Sequence, residues 1–185
     1  MSSNCLRIAV VCSSNQNRSM EAHNFLAKKG FRVKSFGSGN HVKLPGQAAD
    51  KPNIYDFNVS YDEIYTQNGL LHMLDRNRRI KEAPERFQDY HEKFDVIITC
   101  EERVYDQVVE DLELRKERTT TEDCVHILNL DIQDNQDEAT IGAFIICDLV
   151  AMLAESDDLD NDIDEIVHEI EQKCQRMFLH TVVFY

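Results

Sequence analysis

The sequence runs to 185 residues, 42% hydrophobic and 29% charged, with 6 glycines, 3 prolines and no repeat period, and so fits one folded domain. Its 34 acidic against 20 basic side chains give a net charge of −14, which repels a phosphate backbone over most of the surface and argues against direct nucleic-acid binding. The apolar stretch near the amino terminus is too short for a signal-peptide core and no run reaches membrane-spanning length, so a soluble intracellular protein with no membrane partner is expected, its 6 scattered cysteines reduced.

Residues 6–12, LRIAVVC, are a β-branched run that predicts a strand, and residues 19–30, SMEAHNFLAKKG, show helical periodicity closed by Gly30. Residues 31–39, FRVKSFGSG, predict a second strand ending at glycines, completing a βαβ unit of nearly fixed handedness. Residues 41–57, with Pro45 and Pro52, read as a surface loop, and residues 63–91 as polar and helical with a break near Pro84. A buried strand follows at 94–100, FDVIITC, then an amphipathic helix at 101–115 with apolar side chains at 104, 108, 109 and 112. Residues 125–132, VHILNLDI, predict the fourth strand. After a polar loop come a largely apolar helix at 139–154, an acidic helix from about 160 to 174 and a last strand at 178–185. This alternation predicts an α/β fold: an open, mostly parallel five-stranded sheet flanked by helices, in a single domain spanning 1–185 with residues 41–91 as an inserted helical and loop segment. In such sheets ligands bind outside the carboxyl ends of the strands, which is where residues 12–18 lie.

That stretch, CSSNQNR, leads from strand into helix. A helix N-terminus offers unpaired N–H groups and a partial positive charge, so the loop Ser13, Ser14, Asn15, Gln16, Asn17 can wrap an oxyanion in backbone donors. Arg18 in the first helical turn adds a planar, bidentate donor for two phosphate oxygens. The same field favours the thiolate form of a cysteine at the base of the cradle, which makes Cys12 the candidate nucleophile of a phosphoryl transfer through a cysteinyl-phosphate. Ser19 can donate to the sulfur and Asn15 can brace the loop through its amide. Cysteine and arginine fall at this spacing by chance in many chains; their placement between the first strand and first helix gives the motif its weight.

An alkoxide leaving group needs a proton, so the site requires a general acid from another loop. The segment after the fourth strand offers Asp131, Asp134, Asp137 and Glu138, with Asp134 the first choice and Asp131 the second. Asp158, Asp160, Asp162 and Glu169 stand at calcium-loop spacing, but Ile163 fills the place that needs a glycine and the helical rhythm runs straight through. The sequons at Asn17 and Asn58 are read as chance. Residues 76–81, RNRRIK, are read as a solvated basic helix face, and the 7 histidines form no close pair in sequence, so neither metal nor cofactor is expected.

The blocks VCSSNQNRSMEAH, HVKLPG, YTQNGLLHMLDRNRRIK, CEERVYDQVVEDL, DIQD and FLHTVVFY resemble the Ssu72-type phosphatases of the RNA polymerase II C-terminal domain, over nearly the whole chain. The resemblance implies a low-molecular-weight tyrosine phosphatase-like core acting on the fifth-position phosphoserine of the polymerase tail heptad. It also implies a symplekin-type scaffold partner in mRNA 3′-end processing and transcription termination, and a nuclear location. Carried over residue by residue, it makes Cys12 the nucleophile, Arg18 the phosphate clamp and Asp134 the acid. It further implies that Lys43, Leu44, Pro45, Tyr65 and Met73 line a peptide groove that takes the following proline in cis, a minor isomer that turns the chain sharply. The family carries a longer helical segment between SYDEIY and TQNG, so the shortening here bears on the groove and leaves the cradle intact. Two alternatives come from other classes. Arsenate reduction would need a relay of further cysteines near Cys12, where position 17 is asparagine. A non-catalytic phosphopeptide-binding or scaffold module would dock a basic partner on the acidic helix.

Overall fold

A computed structural model describes residues 5–68, 72–116 and 121–185. Strand β1 (Arg7–Cys12) is buried from Ile8 to Cys12, as a strand covered on both faces must be. Helix α1 (Arg18–Lys28) ends in paired closing bonds, Gly30 N–H to the Ala27 carbonyl at 3.0 Å and Phe31 N–H to the Leu26 carbonyl at 3.1 Å. That closure needs a left-handed residue, which Gly30 supplies at φ 85°. Strand β2 (Arg32–Gly37) returns parallel to β1.

The stretch expected to be a surface loop is instead an antiparallel hairpin, β3 (Val42–Ala48) with β4 (Lys51–Tyr55). Val42 and Leu44 turn inward while Lys43 and Pro45 face out, the period-2 pattern of a half-buried strand. A two-stranded sheet has only edges, so Pro45 and Pro52 are tolerated there. The polar helical stretch becomes α2 (Tyr61–Asn68) and α3 (His72–Ile80), with residues 69–71 outside the described ones. Beyond Ile80 the expected helix is absent, and the chain runs on to the next strand with a single 3-10 turn at Phe87–Asp89.

Strand β5 (Val96–Thr99), helix α4 (Glu102–Lys116) and strand β6 (Cys124–Leu130) follow, then α5 (Gln136–Glu155), α6 (Leu159–Cys174) and β7 (Phe178–Phe184). Helix α5 starts three residues before the apolar rhythm suggests, because Asn135 caps it by accepting the Glu138 N–H at 2.9 Å. The sheet order is β2-β1-β5-β6-β7, four strands parallel and β7 antiparallel at the edge. Alternate residues feed two cores. Ile8, Val10, Ile98 and Leu128 pack with Leu26, Ile146, Leu149 and Ile163 of α1, α5 and α6, whereas Ala9, Val11, Ile97 and Ile127 pack with Val104, Val108 and Leu112 of α4. A third cluster, Met20, Leu44, Tyr61, Ile64 and Leu74, ties the hairpin and α2–α3 to α1. Among the described residues no helix is long and apolar enough to cross a membrane.

Candidate active site

Cys12 ends β1 and is 3% exposed. Its thiol donates to Ser19 Oγ at 3.0 Å, so on ionisation the serine hydroxyl is placed to donate back to the sulfur. The intervening loop is held from several sides. Asn15, fully buried, takes φ 54°, a left-handed turn that asparagine adopts more readily than most residues. Its amide donates to Ser19 Oγ at 2.9 Å and accepts the Glu85 N–H at 3.2 Å, while its carbonyl accepts the Tyr61 hydroxyl at 2.6 Å. Burial, then the Cys12 charge, push the Tyr61 phenol well above its ordinary range, which keeps it a neutral donor. On the other side Ser38 N–H and Gly39 N–H donate to the Cys12 and Ser13 carbonyls at 2.9 and 3.0 Å. A Cβ on Gly37 would meet the Ser13 carbonyl and the Phe57 ring at 2.8 Å, so only glycine allows that approach.

Arg18 opens α1 and is 4% exposed. Its NH1 donates to the Ile132 carbonyl at 3.0 Å and to Glu101 at 3.4 Å, and its NH2 to Ser13 Oγ at 3.3 Å. Its Nε is buried with no hydrogen-bond partner among the described residues, and Asp134 Oδ1 lies 3.7 Å away. An orphan N–H of a buried guanidinium costs free energy that a bound oxyanion would return. Burial depresses the Arg18 pKa, but Cys12, Cys100, Asp134 and Glu101 together outweigh it and hold the guanidinium above its ordinary value. Asp134 also accepts from Asn17 Nδ2 at 3.0 Å.

Cys12, Ser13, Ser14, Gln16, Asn17, Arg18 and Asp134 line one cavity of about 600 Å³, together with Lys43, Leu44, Pro45 and Met73. Asn15 and Ser19 stand behind the loop as braces rather than in the lining. Tyr65 lies outside this lining, its ring packed in the third cluster with the Arg78 guanidinium 4.2 Å over it. Asp131 lines a separate cavity and accepts from Asn129 Nδ2 at 3.0 Å. Of the two candidate acids, Asp134 is therefore the one that shares a cavity with Cys12.

The motif reading did not foresee what α2 and α3 contribute. The RNRRIK stretch is not simply a solvated face: Asn77 is fully buried and donates to the Gln16 carbonyl at 2.8 Å. Arg76 NH2 donates to the same carbonyl at 2.8 Å, and its NH1 pairs with Glu21. Arg76, Arg79, His72 and Glu21 also line the cavity. With Arg18 and Lys43 this gives four cations against the carboxylates of Glu21 and Asp134, an electropositive recess in a molecule of net charge −14. The sequence carries no local signal for this contact, because Asn77 stands 61 residues from Gln16 in a run of charged side chains at 75–79. Two histidines that are far apart in sequence also meet: His126 Nδ1 and His180 Nε2 are 3.1 Å apart.

Residues 6–185 match the family model described as Ssu72-like protein. The chain is 60% identical over 196 residues to the RNA polymerase II C-terminal domain phosphatase SSU72 of Homo sapiens and to that of Bos taurus, covering 100% of each chain. It is 50% identical, again over the full length, to the human SSU72 like protein 4. A Drosophila melanogaster Ssu72, solved with symplekin and bound to a cis peptidomimetic of the C-terminal domain phosphorylated at its fifth-position serine, matches with a TM-score of 0.90 at 55% identity, over 98% of this chain and 100% of that one.

Proposed function

The chain belongs to the Ssu72-like protein family, and from that membership and the geometry around Cys12 we propose that it is a cysteine-dependent protein serine phosphatase acting on the fifth-position phosphoserine of the RNA polymerase II C-terminal-domain heptad. One observation carries the proposal: Cys12, Arg18 and Asp134 line one cavity, with the Arg18 guanidinium 3.7 Å from the Asp134 carboxylate. In the first step the Cys12 thiolate attacks phosphorus. The S–P bond forms, the bond from phosphorus to the serine oxygen breaks, and Asp134 gives its proton to the departing alkoxide. The loop amides and Arg18 hold the non-bridging oxygens where negative charge develops. In the second step Asp134 takes a proton from water, the water oxygen bonds to phosphorus, and the sulfur leaves as a thiolate that the Ser19 hydroxyl stabilises.

The peptide would lie across Lys43, Leu44, Pro45 and Met73, with the basic entrance facing its phosphate. The relative solved with a cis peptide supports selection of a cis proline after the phosphoserine. The symplekin seen with that relative supports a symplekin-type scaffold as partner, and with it a nuclear role in mRNA 3′-end processing and transcription termination. The test is phosphate release from a phosphoserine-proline heptad peptide, with and without a prolyl isomerase. Turnover that the isomerase accelerates under substrate-limited conditions is expected, and Cys12→Ser should abolish turnover while phosphopeptide binding persists. Undiminished turnover by Cys12→Ser would overturn the assignment.

A further inference from the structure

At the amino-terminal end of β6, Cys124 and His126 stand two residues apart on one strand and so point to the same face of the sheet. Through β5, His126 is level with Ile8 of β1, four residues before Cys12, which sets it roughly 13 Å along the strands from the nucleophile. The first turn of α6 lays Asp160 over the pair. Its Oδ1 is 2.6 Å from His126 Nε2 and 3.8 Å from Cys124 Sγ, and the three donor atoms all lie within 4.8 Å of one another. Behind His126 a second line of groups fixes the ring: Nδ1 is 3.1 Å from His180 Nε2 on β7, and His180 Nδ1 is 3.5 Å from Asp164 of α6. His126 is 4% exposed, whereas the Asp160 side chain is 70% exposed.

We propose that Cys124, His126 and Asp160 form a zinc site, the His126 ring oriented by its hydrogen bond with His180, beside which Asp164 lies at ion-pair distance. Sulfur, imidazole and carboxylate together suit zinc rather than calcium or magnesium, which take all-oxygen shells. With a Zn–S bond of about 2.3 Å and Zn–N and Zn–O bonds of about 2.0–2.1 Å, a tetrahedral ion holds sulfur and oxygen about 3.5 Å apart, and nitrogen and oxygen about 3.3 Å apart. The sulfur-to-oxygen distance is already close to this. The nitrogen-to-oxygen distance is that of a hydrogen bond, so Asp160, the exposed and movable member, withdraws by about 0.7 Å when the ion replaces the shared proton. A hydrogen bond at the other ring nitrogen fixes the imidazole orientation of a zinc-ligating histidine, and His180 supplies that bond to His126. The ion would join α6 to strand β6, away from the catalytic cavity, with water in its fourth position. A simple His126–Asp160 ion pair would need no sulfur, and that difference is what the experiment reads.

The full chain carrying Cys12→Ser, so that the active-site thiol cannot compete, is dialysed against zinc, and separately titrated with cobalt(II) as a spectroscopic stand-in. One zinc per chain, a higher unfolding temperature, and a thiolate-to-cobalt charge-transfer absorption are expected. Cys124→Ser should erase that absorption and Cys5→Ser should leave it intact. Asp160→Asn should weaken zinc binding at least tenfold, and His180→Gln by about 10- to 100-fold with the absorption retained. Asp160→Asn changes an exposed side chain, so it reads the site even if Cys124→Ser fails to fold. No stoichiometric zinc, or an absorption that survives Cys124→Ser, would overturn the proposal, as would zinc affinity unchanged by Asp160→Asn.

Discussion

Asp134 is poised between two duties. As a carboxylate beside Arg18 Nε and Asn17 Nδ2 it is held near the cradle, yet its side chain is 61% exposed and free to meet a leaving group entering from solvent. A serine alkoxide cannot depart unprotonated, whereas a nitrophenolate can. Asp134→Asn should therefore lower kcat on the phosphoserine peptide by about 10²–10⁴, with a much smaller loss on p-nitrophenyl phosphate, measured side by side. Equal losses on both substrates would remove Asp134 from the acid role. Asp131→Asn should stay close to the parent on both, since that carboxylate belongs to the neighbouring cavity. At this scale the placement of Cys12 and Arg18 was legible because their order along the chain matches their order in the cradle: Cys12 closes the strand and Arg18 starts the helix. The supporting residues were not. Nothing local marks Glu101, Tyr61 or Asn77 as partners of Arg18, Asn15 and Gln16, because those partners lie 83, 46 and 61 residues away.

The elements divide the same way. The βαβ opening could be read because the unbroken apolar run of β1 gives way to a period of about 3.6 in α1. The β3–β4 hairpin was hidden by Pro45, Gly46 and Pro52, punctuating residues that suit a two-stranded sheet with no interior strand as well as they suit a loop. Helices α2 and α3 have too little apolar surface to be placed from sequence, and their position follows from Tyr61, Ile64 and Leu74 meeting Met20 of α1. That packing gives this segment a mechanical role, since it carries the hydroxyl that holds the cradle. Tyr61→Phe leaves the ring in the cluster but strips the donor from the buried Asn15 carbonyl. A loss of about 1–3 kcal/mol in urea unfolding is expected. A fall in kcat should accompany it, because Asn15 also orients Ser19 against the Cys12 sulfur. Lost stability with an untouched kcat would mean that the cradle keeps its shape without α2.

Over the whole molecule, the acid limb of stability should begin with histidine rather than carboxylate. His23 of α1 is half-buried against β2, its Nδ1 2.7 Å from Ser35 Oγ. Lys81, whose Nζ donates to the Ser35 carbonyl at 2.7 Å, closes over the same spot from the end of α3, with Glu85 beside it. Burial first, then the Lys81 charge, lower the His23 pKa from 6.5 to about 4. Between those values the unfolded chain binds a proton that the folded chain refuses, so stability rises with pH across this window. The contribution is whole above pH 6.5 and is lost as pH falls towards 4, about 3 kcal/mol in all, a large share of the 5–15 kcal/mol typical of a domain. His180, lowered by burial and by His126, adds slope of the same sign. Asp95, which burial would raise but its bonds to Arg7 bring below its ordinary 3.8, acts in the same sense further down the scale. Urea midpoints should therefore hold nearly level from pH 8 to about pH 6.5 and fall from there towards pH 4, and His23→Gln, which cannot take up the proton, should flatten most of that decline while leaving the carboxylate loss below it. An undiminished slope in His23→Gln would move the acid sensitivity away from the seam between α1, β2 and α3, and leave His180 and the carboxylates to account for it.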